Sequence, residues 1–242
     1  MSVRTELIHL KKCEKKCWFL VLLFETNLNM FKQTFEDVFG QNYNPTNYTA
    51  PEYTDKRFDT SSTNVYVHDC SFRNCISSGH GGAVCCSGSV VRLLVEQSSF
   101  ISCKASNCHG GGIYFYNTAN GECVLSKICG FSCTITYSGG WGQFCYIFTS
   151  NSNNINYKNH VNDSSTSYSS NANVDLYDVL RLRYGNILCP SVNVTNNICH
   201  YYSSIDCYTS SATCYILYNS IVNNTANGHT CLYLSNSGSS FY

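Results

Sequence analysis

The chain has 242 residues, 43% of them hydrophobic and only 12% charged, with 15 basic side chains against 15 acidic ones. That apolar content excludes a disordered chain and fits one or two domains with a core of their own. Zero net charge without a Lys/Arg block excludes a phosphate-tracking nucleic-acid surface.

Charge is unevenly spread, because residues 1–60 hold 16 of the 30 charged side chains, which sets a composition boundary near residue 60. In this first segment the run "CWFLVLLF" (17–24) follows Lys11, Lys12, Lys15 and Lys16. It is far shorter than the ~20 residues that span a bilayer. No small-x-small cleavage site follows it, so a buried capping element competes with a signal-peptide reading. Phe24, Leu28, Phe31, Phe35 and Val38 recur at steps of four, three, four and three, one stripe of a helix. Residues 1–60 are therefore expected to form a helical or mixed capping segment.

From residue 61 to 242 the chain repeats itself. The pattern apolar-x-x-(Cys/Asn/Ser) gives "FRNC" (72–75), "FISC" (100–103), "VNDS" (161–164), "VTNN" (194–197) and "IVNN" (221–224), and a degenerate "GFSC" (130–133). The motif ends at 75, 103, 133, 164, 197 and 224 are 28, 30, 31, 33 and 27 residues apart. Eight and ten residues upstream lie Val67/Val65, Val95/Leu93, Leu125/Cys123, Cys189/Ile187 and Ile216/Cys214, with the spacing of side chains on one face of a strand. The fourth copy breaks that column with Asn156 and Asn154. A second strand-like run follows each motif: "AVCC", "GIYFY", "QFCYIF", "NVDLY", "SIDCY" and "TCLYL". Units of about 30 residues with short strands and no helical period cannot bury their apolar side alone and must stack. The expected fold is mainly β, a parallel β-helix (solenoid) of about six coils.

"SSGHGGAVCC" (77–86) returns as "SNCHGGGIYF" (106–115). A phosphate loop is excluded, since no Gly-Lys-Ser/Thr follows and the glycines lead into a strand. Gly81 and Gly82, and their counterparts Gly110 and Gly111, instead suit a sharp corner where backbone approaches backbone. Phe72, Cys75, Phe100, Cys103, Cys133, Asn197 and Asn224 are read as scaffold, with Asn stacking in amide ladders and Cys packing as a compact apolar group. "GGAV" (81–84) together with the Phe-x-x-Asn-like motifs resembles the repeats of polymorphic outer membrane proteins. The Cys-, Asn- and Tyr-rich composition resembles β-helix families of flagellate protists. That resemblance implies a right-handed coil, a cell-surface or secreted setting, adhesion or antigenic roles, and no catalysis.

Seventeen cysteines, fifteen after residue 60, contain no Cys-x-x-Cys and so no zinc-ribbon spacing. Most are expected as reduced, buried thiols. His80 and His109 precede the glycines in successive coils, and with Cys108 they form a weak candidate for Zn²⁺, lacking an evident fourth ligand. His229 holds a comparable place in the last coil. The repeat region has seven carboxylates: Asp69, Glu96, Glu122, Asp163, Asp175, Asp178 and Asp206. Asp69 and Glu96 point to opposite sides by strand alternation. Asp175 and Asp178 near Arg181 and Arg183 read as a solvated edge with local ion pairs.

The expected function is non-enzymatic: a structural or surface-recognition solenoid without cofactor, binding cell-surface proteins or glycans. Its aromatic candidates are Tyr114, Tyr116, Tyr201, Tyr202, Tyr208 and Tyr233. A carbohydrate-active β-helix enzyme and an intracellular structural protein are the alternatives. Sequons at Asn47, Asn162, Asn193 and Asn223 permit glycosylation. No transmembrane segment is expected, and an uncapped last coil would expose strand edges that self-associate.

Overall fold

A computed structural model describes residues 32–40, 43–55, 57–149, 156–170, 175–201, 204–209, 214–228 and 231–236. The run at 17–24, Tyr202 and His229 lie outside these residues. The described chain is a β-solenoid in which every strand pairing is parallel. Three sheets carry seven strands each. The first runs from Thr46–Tyr48 through Asn64–His68, Arg92–Glu96, Glu122–Ser126, Lys158–Asn162 and Asn186–Pro190 to Tyr215–Leu217. The second runs from Tyr53–Thr54 through Ser71–Arg73, Ser99–Ile101, Cys129–Phe131, Ser165–Ser167 and Asn193–Thr195 to Ser220–Val222. The third runs from Phe58–Asp59 through Val84–Ser87, Ile113–Tyr116, Cys145–Phe148, Leu180–Arg183 and Ile205–Thr209 to Leu232–Asn236. Each coil thus contributes one strand to each sheet, and the six sequence repeats are rungs two to seven.

Stacking begins before residue 61, because residues 46–59 supply the first rung on all three sheets. The composition there is charged, but Tyr48, Tyr53 and Phe58 pack onto the rung above. Tyr53 stacks on Phe72 at 4.8 Å between ring centroids, and Phe72 stacks on Phe100 at 4.9 Å. Of the expected helical stripe, the described part is the helix Phe35–Phe39, capped by a reciprocal Thr34–Asp37 box. Phe35 and Phe39 cover Tyr66, Leu94 and Val124 on the outer face of the first sheet.

Two columns of left-handed residues turn each coil. Asp69, Gln97, Lys127, Asp163, Ser191 and Tyr218 form the corner between the first and second sheets. Asn74, Ser102, Ser132, Tyr168, Asn196 and Asn223 form the corner after the second. Each such residue costs about 1 kcal/mol or more for a side chain at positive φ. The ladder offsets that strain, since the Asn74, Ser102, Ser132, Tyr168 and Asn196 N–H groups each donate to a carbonyl of the next rung. The third motif position is therefore a corner, and the fourth turns back into the core.

These columns correct the fourth repeat. "VNDS" (161–164) occupies the first corner, whereas its companions occupy the second. The true equivalent is Thr166-Ser167-Tyr168-Ser169, with the left-handed residue at Tyr168. Shifted this way, the upstream pair becomes Asn159 and Val161, which lie beside Cys123 and Leu125 and are both buried. The following strand is Leu180–Arg183 and not "NVDLY". The corner column steps 36 residues from Ser132 to Tyr168, against 27 to 30 elsewhere, and a near-equal period misses the true position.

The scaffold columns follow. The Cys103 thiol donates to the Phe72 carbonyl at 3.6 Å and the Cys133 thiol to that of Phe100 at 3.4 Å. Farther along, the Asn197 amide donates to Asn224 Oδ1 at 2.9 Å, while Asn197 Oδ1 accepts the Ser169 N–H at 2.8 Å. In the degenerate third copy Gly130 stands in the column of Phe72 and Phe100. The Phe144 ring fills that space, and a Cβ on Gly130 would lie 2.7 Å from it. Of the fifteen described cysteines eleven are buried, including Cys75, Cys103 and Cys133.

Candidate functional site

The third sheet presents two outward columns. One reads Cys85, Tyr114, Tyr146, Arg181, Asp206, Tyr233, and the other Ser87, Tyr116, Phe148, Arg183, Tyr208, Ser235. Strand alternation sends Ile113, Phe115, Leu180 and Leu182 inward between them, all of them buried. The connecting loops that carry His80, His109, Trp141 and Tyr177 pack against this outer face.

At one end the face is sealed by rings. His80 stacks on Tyr114 at 4.0 Å and His109 on Tyr146 at 5.2 Å, while Tyr114 and Tyr146 stack at 5.3 Å. The imidazoles are tied into the ladder of the coils. His80 Nδ1 accepts the His109 N–H at 3.4 Å, and His109 Nδ1 accepts the Trp141 N–H at 3.1 Å. Both Nδ1 atoms must be unprotonated to accept, which places the ring proton on Nε2. Burial pushes both histidines below their ordinary pKa, His109 to about 4 with help from His80 and Arg181. Among the described residues no three His, Cys, Asp or Glu side chains converge as ion ligands. His80 and His109 are neighbours, with ring centroids 5.4 Å apart, but each spends its Nδ1 on a backbone N–H.

The glycines after each histidine make this corner possible. Gly81 and Gly110 have φ of +60° and +69°, and a Cβ on Gly82 would meet the Gly111 carbonyl oxygen at 2.0 Å. Consecutive rungs touch here through bare backbone.

Trp141 is the junction. One side of its ring stacks on His109 at 4.9 Å, and the Arg181 guanidinium lies 4.2 Å from the ring centroid. Arg181 Nη1 donates to Asp178 Oδ2 at 2.5 Å and to Asp206 Oδ2 at 2.9 Å. Arg183 Nη2 lies 3.9 Å from Asp206 and its guanidinium 4.8 Å from the Tyr208 ring. Asp178 Oδ1 accepts the Gly142 N–H at 2.6 Å, so both of its oxygens are engaged. The expected solvated edge is overturned here: Asp178, Arg181 and Asp206 are all buried. Arg181 sits mid-strand under Trp141, while Asp175 alone is exposed, paired with His200 at 3.2 Å.

Burial raises both Asp178 and Asp206, and their mutual repulsion adds to it for Asp206, which is pushed up to about 7. Asp178, with a backbone N–H and a guanidinium, is the better solvated by protein groups. Of the two carboxyls Asp206 is therefore the one more readily protonated.

Beside this cluster opens a cleft of about 310 Å³ lined by Trp141, Tyr177, Arg181, Arg183, Asp206, Tyr208, Tyr233 and Ser235. Of the tyrosines singled out in the sequence, Tyr208 and Tyr233 line it. Tyr114 is buried and Tyr116 half-buried at the sealed end, and exposed Tyr201 stacks on Tyr177 at 5.2 Å. Trp141 and Tyr177 escaped the sequence reading. Trp141 lies in a corner loop whose repeats carry His109 or His80 beside the glycines, and Tyr177 lies in the misaligned coil. Among the described residues no helix is long and apolar enough to cross a membrane. No protein-family model, curated protein or solved structure matches the chain.

Proposed function

We propose that this chain is a non-catalytic recognition solenoid that holds a glycan in the cleft on the outer face of its third sheet. The cleft itself carries the reading. Its wall combines Trp141, Tyr177, Tyr208 and Tyr233 with two guanidiniums and one carboxyl. Flat rings offer apolar faces to a sugar ring, and the polar groups at their rims reach its hydroxyls. The cell-surface setting implied by the resemblance to polymorphic outer membrane repeats is compatible with such a ligand. Tryptophan fluorescence titration with oligosaccharides tests it, since Trp141 lines the cleft. Binding should saturate, and Tyr208→Ala should weaken it about tenfold, the worth of one aromatic contact. No oligosaccharide response would end the proposal.

A carbohydrate-active enzyme is the second reading, favoured by carboxyls from adjacent rungs, Asp178 and Asp206, meeting at one guanidinium nitrogen. Acid/base cleavage of a glycosidic bond uses two available carboxyls. Asp178 has both oxygens occupied and no exposed surface, which favours binding over cleavage. Release of reducing ends that disappears in Asp206→Asn would reverse this preference.

A further inference from the structure

We propose that the cleft selects an acidic sugar, one bearing a carboxylate such as a uronic acid, and this rests on the glycan reading above. Three polar atoms of cleft-lining residues are buried with no hydrogen-bond partner in the protein: Trp141 Nε1, Arg181 Nε and Asp206 Oδ1. Unpaired buried polar groups are uncommon, and each is destabilising until something pairs with it. Two of the three are N–H donors on adjoining groups, since the Arg181 guanidinium lies over the Trp141 ring. Two neighbouring donors, one of them on a cation, suit the two oxygens of a carboxylate.

The charge of the wall agrees. Arg181 and Arg183 line the cleft against one carboxyl, Asp206, while Asp178 is held beneath by Gly142 and Arg181. A ligand carboxylate would restore balance on the open side. The third unpaired atom, Asp206 Oδ1, then either accepts a sugar hydroxyl or, when Asp206 is protonated, shares its proton with the ligand. The groups facing Asp206 are Asp178, Arg181, Arg183, Tyr208 and Tyr233. Of these, Asp178 is the other carboxyl, and its repulsion favours the protonated Asp206. The rings of Tyr208 and Tyr233 are left for the sugar faces.

The test is calorimetric titration of the full chain with a uronic acid oligomer and with the same oligomer after reduction of its carboxyls to alcohols. The acidic oligomer should bind at least about tenfold more tightly, and the advantage should shrink from pH 6 to pH 8 as Asp206 ionises. Trp141→Phe, which keeps a ring but removes the N–H, should weaken the acidic oligomer more than the reduced one and so lose most of that advantage. Arg183→Gln provides a second arm should Trp141→Phe fail to fold, and should act in the same direction. Equal affinity for the two oligomers overturns acid selection and leaves glycan binding standing. Equal binding of an acidic peptide of matched charge overturns it as well, as charge attraction alone. No binding of either oligomer removes both proposals.

Discussion

The two ends of the third sheet's outer face share one backbone and one register but have opposite fates. At the His80/His109 end each imidazole Nδ1 accepts a backbone N–H, and rings stack on rings across the face. At the Arg181/Asp206 end the same columns hold charges, the stack stops at Trp141, and three buried polar atoms stay unpaired. A repeat scaffold fixes where side chains point. What occupies those points decides whether a face is packing or a site.

The sharpest way to break the sealed end is Gly111→Ala. Its Cβ would lie 2.1 Å from the Gln143 carbonyl oxygen and 2.4 Å from that of Thr134, both rigid backbone. The expected loss exceeds about 4 kcal/mol, or the chain does not fold. A small shift in the denaturation midpoint would show that the rungs are not in such close contact.

At the other end Asp178→Ala leaves Arg181 buried with only Asp206 beside it. The expected cost is about 3–5 kcal/mol, because removal of one partner strands the other charge. Chemical denaturation measures it. A loss below about 1 kcal/mol would mean that the cluster is hydrated and not part of the interior.

The pH dependence separates the ends with a smaller effect. His109 at the sealed end, and His160 on the first sheet, are pushed down to about 4 from 6.5, so below pH 6.5 the unfolded chain binds protons that the folded chain refuses, and stability falls on acidification. Asp206 is raised from 3.8 to about 7, so the folded chain binds the extra proton, and its contribution is lost as pH rises through that window. The two slopes oppose each other between about pH 4 and pH 6.5. Asp206→Asn should therefore steepen the loss of denaturation midpoint from pH 7 to pH 4.5, and His109→Gln should flatten it. Identical slopes in both variants and the parent would contradict the assigned shifts.

Much of this architecture was legible in the sequence because packing repeats what it needs. Paired inward residues such as Val65/Val67 and Leu93/Val95 recur in most rungs, and Phe72 and Phe100 stack in register. Rung one was hidden, since Tyr48, Tyr53 and Phe58 carry it without the motif. Rung five was displaced because its corner, Thr166 to Ser169, has neither Phe nor Cys. The error mattered for the site. With "NVDLY" taken as the strand, Arg181 and Arg183 fell outside the columns, and the pairing of Arg181 with Asp206 across rungs could not be seen. The alternation of Leu180, Arg181, Leu182 and Arg183 was the signal available, a two-residue period with the apolar members inward. Trp141 had no such signal, because its importance comes from the loop that lays it over Arg181.

The most direct test of the contrast is the ¹H–¹⁵N spectrum of the protein titrated with a uronic acid oligomer, with the Trp141 indole N–H assigned through Trp141→Phe. The account predicts that this resonance shifts strongly on binding while the His80 ring signals at the sealed end stay in place. A stationary Trp141 indole, or a His80 shift of equal size, would contradict it.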